Sequence, residues 1–186
     1  MVSLAALWLP ILLSAIIVFF ASSIIHMVLP YHKREYHALP DEERVLTTLR
    51  GLNLKPGRYV FPYCAQRKDM NTPAMVEKYK QGPVGMMSVM PNGPVVLPKF
   101  LAQWFGYCLV VGVFVAYLTA HTVAPGTNYL SVFRVAGTTA FLSYGLGHLS
   151  DGIWKGQTWS ETIKEVFDGL VYGLLTAGTF GWLWPR

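Results

Sequence analysis

Four apolar stretches of about 20 residues constrain the fold of this chain more than any other feature of its sequence. A helix needs roughly 20 predominantly apolar residues to cross the hydrocarbon core of a bilayer. The stretches cover about residues 8–29, 100–120, 129–149 and 166–184. Pro30 directly follows the first stretch, where a helix has to end. The pattern therefore predicts four transmembrane helices.

The composition agrees with a membrane protein. Of the 186 residues, 53% are hydrophobic and only 13% are charged, whereas a soluble domain carries about 25% charged residues. We predict an all-α integral membrane protein with four transmembrane helices. Residues 1–30 hold the first helix, residues 31–97 form a small α+β cytoplasmic insertion, and residues 98–186 hold helices two to four.

The distribution of positive charge predicts the orientation of these helices. Eleven of the 15 Lys and Arg residues lie between residues 31 and 99, and two more separate the third and fourth stretches. Cytoplasmic loops carry such an excess, so both termini are expected on the outer side of the membrane and the insertion in the cytoplasm. No Lys or Arg precedes the first stretch, which favours an uncleaved anchor over a signal peptide. We expect a bacterial inner-membrane location, contact with the anionic bilayer and no nucleic-acid partner.

The insertion is predicted to contain helices and strands of its own. "LPDEERVLTTLRG" and "TPAMVEKYKQG" are typical of short helices. "KPGRYVFP" is typical of a turn followed by a strand, and "PVGMMSVMPNGPVVL" of a strand, a Pro-Asn-Gly turn and a second extended run; the two strand-like pieces could pair. A unit of this size buries little core by itself. We therefore expect it to lean on the membrane surface or on a partner.

Small residues recur at every fourth position on two of the predicted spans. Such stripes let helix backbones approach closely in a membrane. They predict helix–helix contacts, either within the chain or with a partner chain. The stripes are Gly112, Ala116 and Ala120 on the second span, and Gly169, Gly173, Ala177 and Gly181 on the fourth.

Four ionisable residues within the spans form a possible polar site. His26, His148 and Asp168 are expected near the cytoplasmic ends of three spans, and Arg134 lies near the outer end of the third. Ionisable groups in a membrane often mark functional sites. Two histidines on facing helices could ligate haem b, and with Asp168 they could form a proton or quinone site. The alternative is that they are hydrogen-bonded interfacial side chains, and we expect no cofactor.

No metal centre is predicted from the remaining histidines. His32 and His37 are five residues apart and do not share one helix face. A metal site that joined them to His26 would need a special turn of the chain.

The second half of the chain resembles small bacterial four-helix membrane proteins of unknown function. The segments that carry the resemblance are "FVAYLTAH", "IWKGQTW" and "GLVYGLLTAGTFGWLW". The resemblance implies a four-helix membrane fold. It implies no activity and no functional residues, and it does not extend to the insertion.

The sequence contains no nucleophile constellation, phosphate-binding loop or metal motif. We therefore expect a non-enzymatic accessory subunit that packs against a larger membrane complex, or against copies of itself, through the small-residue stripes and the insertion. One alternative is a redox or proton-coupled membrane protein that uses His26, His148 and Asp168. Another is a small oligomeric transporter.

Overall fold

The computed structural model describes residues 2–33 and 35–186, which form two compact units. One unit comprises Met1–Tyr36 with Val96–Arg186, and the other comprises His37–Val95. The structure is mostly helical and has one small sheet. In chain order the elements are α1 (Trp8–Ser23), α2 (Glu42–Gly51), β1 (Gly57–Phe61), α3 (Pro73–Gln81), β2 (Gly85–Val89), α4 (Leu97–Thr122), α5 (Tyr129–Tyr144), α6 (Leu149–Trp154) and α7 (Trp159–Trp182).

Two helical segments in the described part of the chain are long and apolar enough to cross a membrane. They are Leu4–Val28, which contains α1, and Leu97–Thr122, which is α4, with mean hydropathies of 2.6 and 1.8. Only 28% of either apolar window is buried inside the protein, so most of this surface faces outward. The other two predicted spans coincide with α5, which has 16 residues, and with α7, which opens with several charged residues.

The end of α1 is irregular, and this irregularity positions His26 and His32. The helix continues as a π-helical turn over Ile24–Val28, in which the Leu29 N–H donates to the Ile24 carbonyl at 3.0 Å. Leu29 is extended because the following residue is Pro30, which disfavours a helical conformation in its predecessor. A 3₁₀ turn over Pro30–His32 follows.

α5 and α7 form the most extensive helix pair in their unit. A methyl group added at Gly169 would overlap the backbone of Gly145, and one added at Gly173 would lie 3.1 Å from the Phe141 nitrogen. Ala177 faces Gly137, and Gly181 faces the ring of Tyr129. The small-residue stripe of the fourth predicted span therefore packs against α5 of the same chain.

The stripe on α4 is used in a similar way, against α1. A methyl group at Gly112 would lie 3.3 Å from the Ile11 carbonyl oxygen, and Ala116 and Ala120 are buried. Large apolar side chains such as Phe114 occupy the outward face of α4. Both stripes thus hold the chain's own helices together, and neither is free for a partner.

The third predicted span ends earlier than expected. We predicted helix to residue 149, but α5 ends at Tyr144 and is followed by a 3₁₀ turn over Leu146–His148 and by the short α6. Gly145 and Gly147 interrupt the helix, since glycine has a low helix propensity. Gly145 also provides the close approach to Gly169.

The unit His37–Val95 contains the predicted helices α2 and α3 and, in β1 and β2, two of the predicted strands. β1 and β2 are antiparallel, with Tyr59 opposite Met87. The extended run expected after Pro91 does not join the sheet. All residues of this unit are described, and Met75 is its one buried apolar side chain. The unit accordingly has very little core.

Candidate functional site

His32 lies at the centre of a cluster of ionisable side chains. Its Nδ1 atom is 2.8 Å from both carboxylate oxygens of Glu35, and its Nε2 atom is 2.7 Å from Oδ2 of Asp168. The 3₁₀ turn after Pro30 presents His32 to α7, which carries Asp168. His32 and Asp168 are 7% and 3% exposed. Because the burial of an unpaired ionisable group is costly, the hydrogen bond between them compensates for the burial of both.

His26 joins this cluster from the π-helical turn at the end of α1. Its ring centroid lies 4.4 Å from that of His32, with the ring planes 32° apart. Its Nε2 atom is 3.8 Å from Asp168 Oδ2 and 3.3 Å from the hydroxyl of Tyr172. The His26 side chain is 47% exposed, so the cluster is open to its surroundings on this side.

Lys164 extends the cluster along α7. Its ammonium group donates to Glu35 Oε1 and to the Tyr31 carbonyl, each at 3.1 Å. The same ammonium lies 5.2 Å from the centre of the Tyr31 ring, a cation–π distance. Glu35 therefore bridges two positively charged partners, His32 and Lys164.

The hydrogen bonds of the cluster shift the pKa of His32 and that of Glu35. Burial lowers the pKa of His32, but its hydrogen bonds to Glu35 and Asp168 outweigh burial and raise this pKa above its usual value. Burial raises the pKa of Glu35, but its hydrogen bonds to His32 and Lys164 outweigh burial and lower it. Both shifts favour an imidazolium at His32 paired with an ionised Glu35 carboxylate.

An apolar pocket of about 740 Å³ lies beside the cluster. Asp168 and Lys164 provide its charged groups, and Tyr31 lies next to them. Ile25, Leu29 and Pro30 from the end of α1, with Phe167 and Val171 from α7, provide the apolar lining. The pocket therefore combines two charged groups with a mostly hydrocarbon lining, as small-molecule sites commonly do.

The other two predicted site residues lie apart from this cluster. The Nδ1 atom of His148 is 2.9 Å from Oε2 of Glu165, with Asp151 close by. Arg134 is exposed on α5, along a groove of about 260 Å³ between α5 and α7. Of the four residues proposed from sequence, the structure brings His26 and Asp168 together.

Sequence reasoning missed three residues that complete the cluster, namely His32, Glu35 and Lys164. A usable signal was present for two of them. His32 and Glu35 are three residues apart, directly after a proline that ends an apolar span. Such a proline makes a turn probable, and a turn lets a histidine approach the helix end that it has just left. No local sequence pattern indicates that Lys164, on α7, contacts this cluster.

Comparison with protein-family models, with curated proteins and with solved structures finds no match to this chain.

Proposed function

We propose that this protein spans a membrane four times, with α5 and α7 crossing alongside α1 and α4. The outward faces of α5 and α7 support this proposal. Leu130 and Leu142 on α5, and Phe167 and Leu174 on α7, are between 48% and 58% exposed. Small residues fill the contacts between these helices instead. Large apolar side chains on the outward helix faces and small residues between the helices are typical of helices in a lipid bilayer. Soluble monomers rarely expose an extended apolar surface.

The distribution of Lys and Arg supports the predicted orientation, with both termini outside and residues 37–95 in the cytoplasm of a bacterial cell. Cys64 offers a native reporter, because it is partly exposed whereas Cys108 is fully buried. A membrane-impermeant maleimide should leave Cys64 unlabelled in intact spheroplasts and label it in inverted vesicles. A Cys64→Ser variant controls for labelling of Cys108. Labelling of Cys64 in spheroplasts would contradict this orientation.

Within this framework we propose that the protein binds an amphiphilic molecule of the quinone type. The observation that carries the proposal is the lining of the pocket, which joins apolar side chains such as those of Leu29 and Phe167 to the charged groups of Asp168 and Lys164. A quinone head group offers carbonyl oxygens to an ammonium, and the reduced form offers hydroxyl groups to a carboxylate. Its hydrocarbon tail matches the lining.

Binding is testable with a short-tailed benzoquinone added to the protein in nanodiscs. Val171 lines the pocket, so Val171→Trp should fill part of it and weaken binding about tenfold or more, as the loss of a well-fitted apolar contact does. Ile163→Trp is the matched control, because Ile163 lies on the same helix, is 61% exposed and is not part of the pocket lining. Equal affinities in the two variants, or no binding by the wild type, would contradict the proposal.

A role as accessory subunit of a membrane complex remains the second candidate, and one observation favours it. The unit His37–Val95 exposes Leu52, Val84, Met90 and Val95 at 61% to 73%. Adaptable methionine and aliphatic surface of this kind suits a protein contact. The stripes on α4 and α7 no longer support this role, since they pack within the chain.

Recovery of a stoichiometric partner with the tagged chain in mild detergent would favour the accessory role. Its loss in a Val84→Ser, Met90→Ser variant would assign the contact to this unit. Lys78→Ser, on the exposed face of α3, is the control for a general effect of substitution in the unit.

A further inference from the structure

Three side chains from separate parts of the chain bring possible ligand atoms close to one another. The Nε2 atoms of His26 and His32 and the Oδ2 atom of Asp168 all lie within 4.8 Å of one another. His26 comes from the end of α1, His32 from the turn after Pro30, and Asp168 from α7. Two imidazole nitrogens and one carboxylate oxygen form a ligand set that divalent first-row transition metals favour.

The two separations that involve Asp168 are close to what such an ion requires. Bonds of about 2.0–2.1 Å in a tetrahedral site keep neighbouring ligand atoms roughly 3.3 Å apart. The observed separations are 2.7 Å from His32 to Asp168 and 3.8 Å from His26 to Asp168, on either side of that value. Shifts of roughly half an ångström would accommodate the ion, and the half-exposed ring of His26 has room to move.

The surroundings of His32 resemble the outer shell of a metal site. A histidine ligand usually donates its second ring N–H to a carboxylate, which fixes the ring and strengthens the bond to the metal. Glu35 accepts from His32 Nδ1 at 2.8 Å and is itself held by Lys164 at 3.1 Å. This arrangement aims Nε2 of His32 at the point that His26 and Asp168 share.

A second group of possible ligands lacks these features. His148, Asp151 and Glu165 are all only partly buried. The Nδ1 atom of His148 is paired with the carboxylate of Glu165, and Asp151 forms an ion pair with Lys155. The cluster around His32 is therefore the stronger site on grounds of burial and of orientation.

We propose that His26, His32 and Asp168 bind a divalent first-row transition-metal ion, with Glu35 orienting His32. The hydroxyl of Tyr172, 3.3 Å from His26 Nε2, lies beside the remaining coordination positions. The ion takes the place at Nε2 of His32 that a proton holds in its absence. The site depends neither on the four-span arrangement nor on a quinone, so it goes beyond the proposed function.

Cobalt(II) is the probe of choice, because it occupies zinc-type sites and its visible absorption reports the number and type of ligands. Full-length protein in nanodiscs is stripped with chelator and titrated with Co²⁺. We expect one Co²⁺ per chain, with visible bands of a four- or five-coordinate ion. His26→Ala and Asp168→Asn should each abolish the bands, and Glu35→Gln should weaken binding about 10- to 100-fold.

Two substitutions outside the site serve as controls. His121→Ala removes an exposed histidine in the last turn of α4, and His148→Ala removes the histidine of the second group of possible ligands. Both should bind Co²⁺ as the wild type does. His26→Ala is the decisive variant, because His26 is half-exposed and its loss should leave the fold intact, as a thermal melt would check.

Three results would overturn the assignment. They are the absence of Co²⁺ binding by the wild type, undiminished binding by folded His26→Ala, and loss of binding in His148→Ala. The benzoquinone titration is carried out separately on stripped protein. Failure of the quinone proposal is thereby distinguished from failure of the metal proposal.

Discussion

The two compact units of this chain bury apolar surface to very different extents. The unit formed by residues 1–36 and 96–186 has a continuous core that includes Val18, Val115 and Phe180. The unit His37–Val95 buries Met75 alone among its apolar side chains. The first holds itself together through close helix contacts, whereas the second has regular secondary structure with almost no interior. Regular secondary structure in one part of a sequence therefore does not imply that this part has a hydrophobic core.

The most severe test of this contrast is to isolate the second unit. A peptide of residues 37–95 should be unfolded in buffer, because a two-stranded sheet and two short helices that bury so little cannot offset their loss of conformational entropy. Far-ultraviolet circular dichroism and amide proton NMR spectra would report this. A cooperative thermal transition in the isolated peptide would contradict the conclusion that this unit has too little core to fold by itself. The appearance of structure on addition of anionic vesicles would show what the unit leans on.

A large effect is also expected at the closest helix contact of the first unit. Gly169→Leu places a side chain where the backbone of Gly145 lies. It should destabilise the protein by about 3 kcal/mol or more, the upper range for overpacking, because backbone cannot move aside as a side chain can. Gly106→Leu on α4 is the control, since nothing lies within 4 Å of the added carbon there. Melting temperatures in the same detergent would compare them, and equal melting temperatures would contradict the close packing.

A smaller effect is expected from the buried ion cluster of the same unit. In chelator-treated protein, Asp168→Asn should cost about 2 kcal/mol, because it weakens a charge-assisted hydrogen bond to the buried His32. Glu165→Gln, next to the more exposed His148, should cost clearly less. Denaturant titration in mixed micelles would measure both. The reverse order would show that burial does not set the strength of these pairs.

The smallest effect is expected at the surface of the second unit. Arg50 and Glu43 lie 3.7 Å apart on α2, with side chains 66% and 82% exposed. Exposed pairs of this kind contribute little, because water and salt screen them. Glu43→Gln should therefore leave the melting temperature and the membrane yield of the full chain unchanged. A marked loss of either would reveal that α2 is covered by a partner in the membrane.

Local patterns were sufficient to predict much of the secondary structure. α2 lies where an acidic first turn and Gly51 predicted a helix, and α3 lies within the predicted helical segment "TPAMVEKYKQG". β1 lies where aromatic and β-branched residues follow the turn signal of Pro56 and Gly57, and β2 lies in the short run between Pro83 and Pro91. These elements depend on neighbours in sequence. The early end of α5 was not predicted, since the apolar run continues through Gly145 and the close contact with Gly169 comes from a distant helix.

The site was predicted only in part, and the reason is geometric. His26 and Asp168 were recognised as ionisable groups within apolar segments, and the structure brings them together. Arg134 and His148 were recognised by the same criterion and lie elsewhere. The rotation of each helix about its axis decides which of these groups meet. That rotation follows from packing contacts that no single segment contains.

The sequence by itself determined the apolar segments, their caps and stops, the charge asymmetry and the small-residue stripes. Each of these properties follows from residue type and local spacing, through hydrophobic transfer and backbone sterics. The packing of the stripes within the chain, and the position of His32 between Glu35 and Asp168, are evident only from the tertiary structure. Those contacts join residues as many as 136 positions apart, and their geometry depends on how the turn at Pro30 and the α5–α7 pair are fitted together.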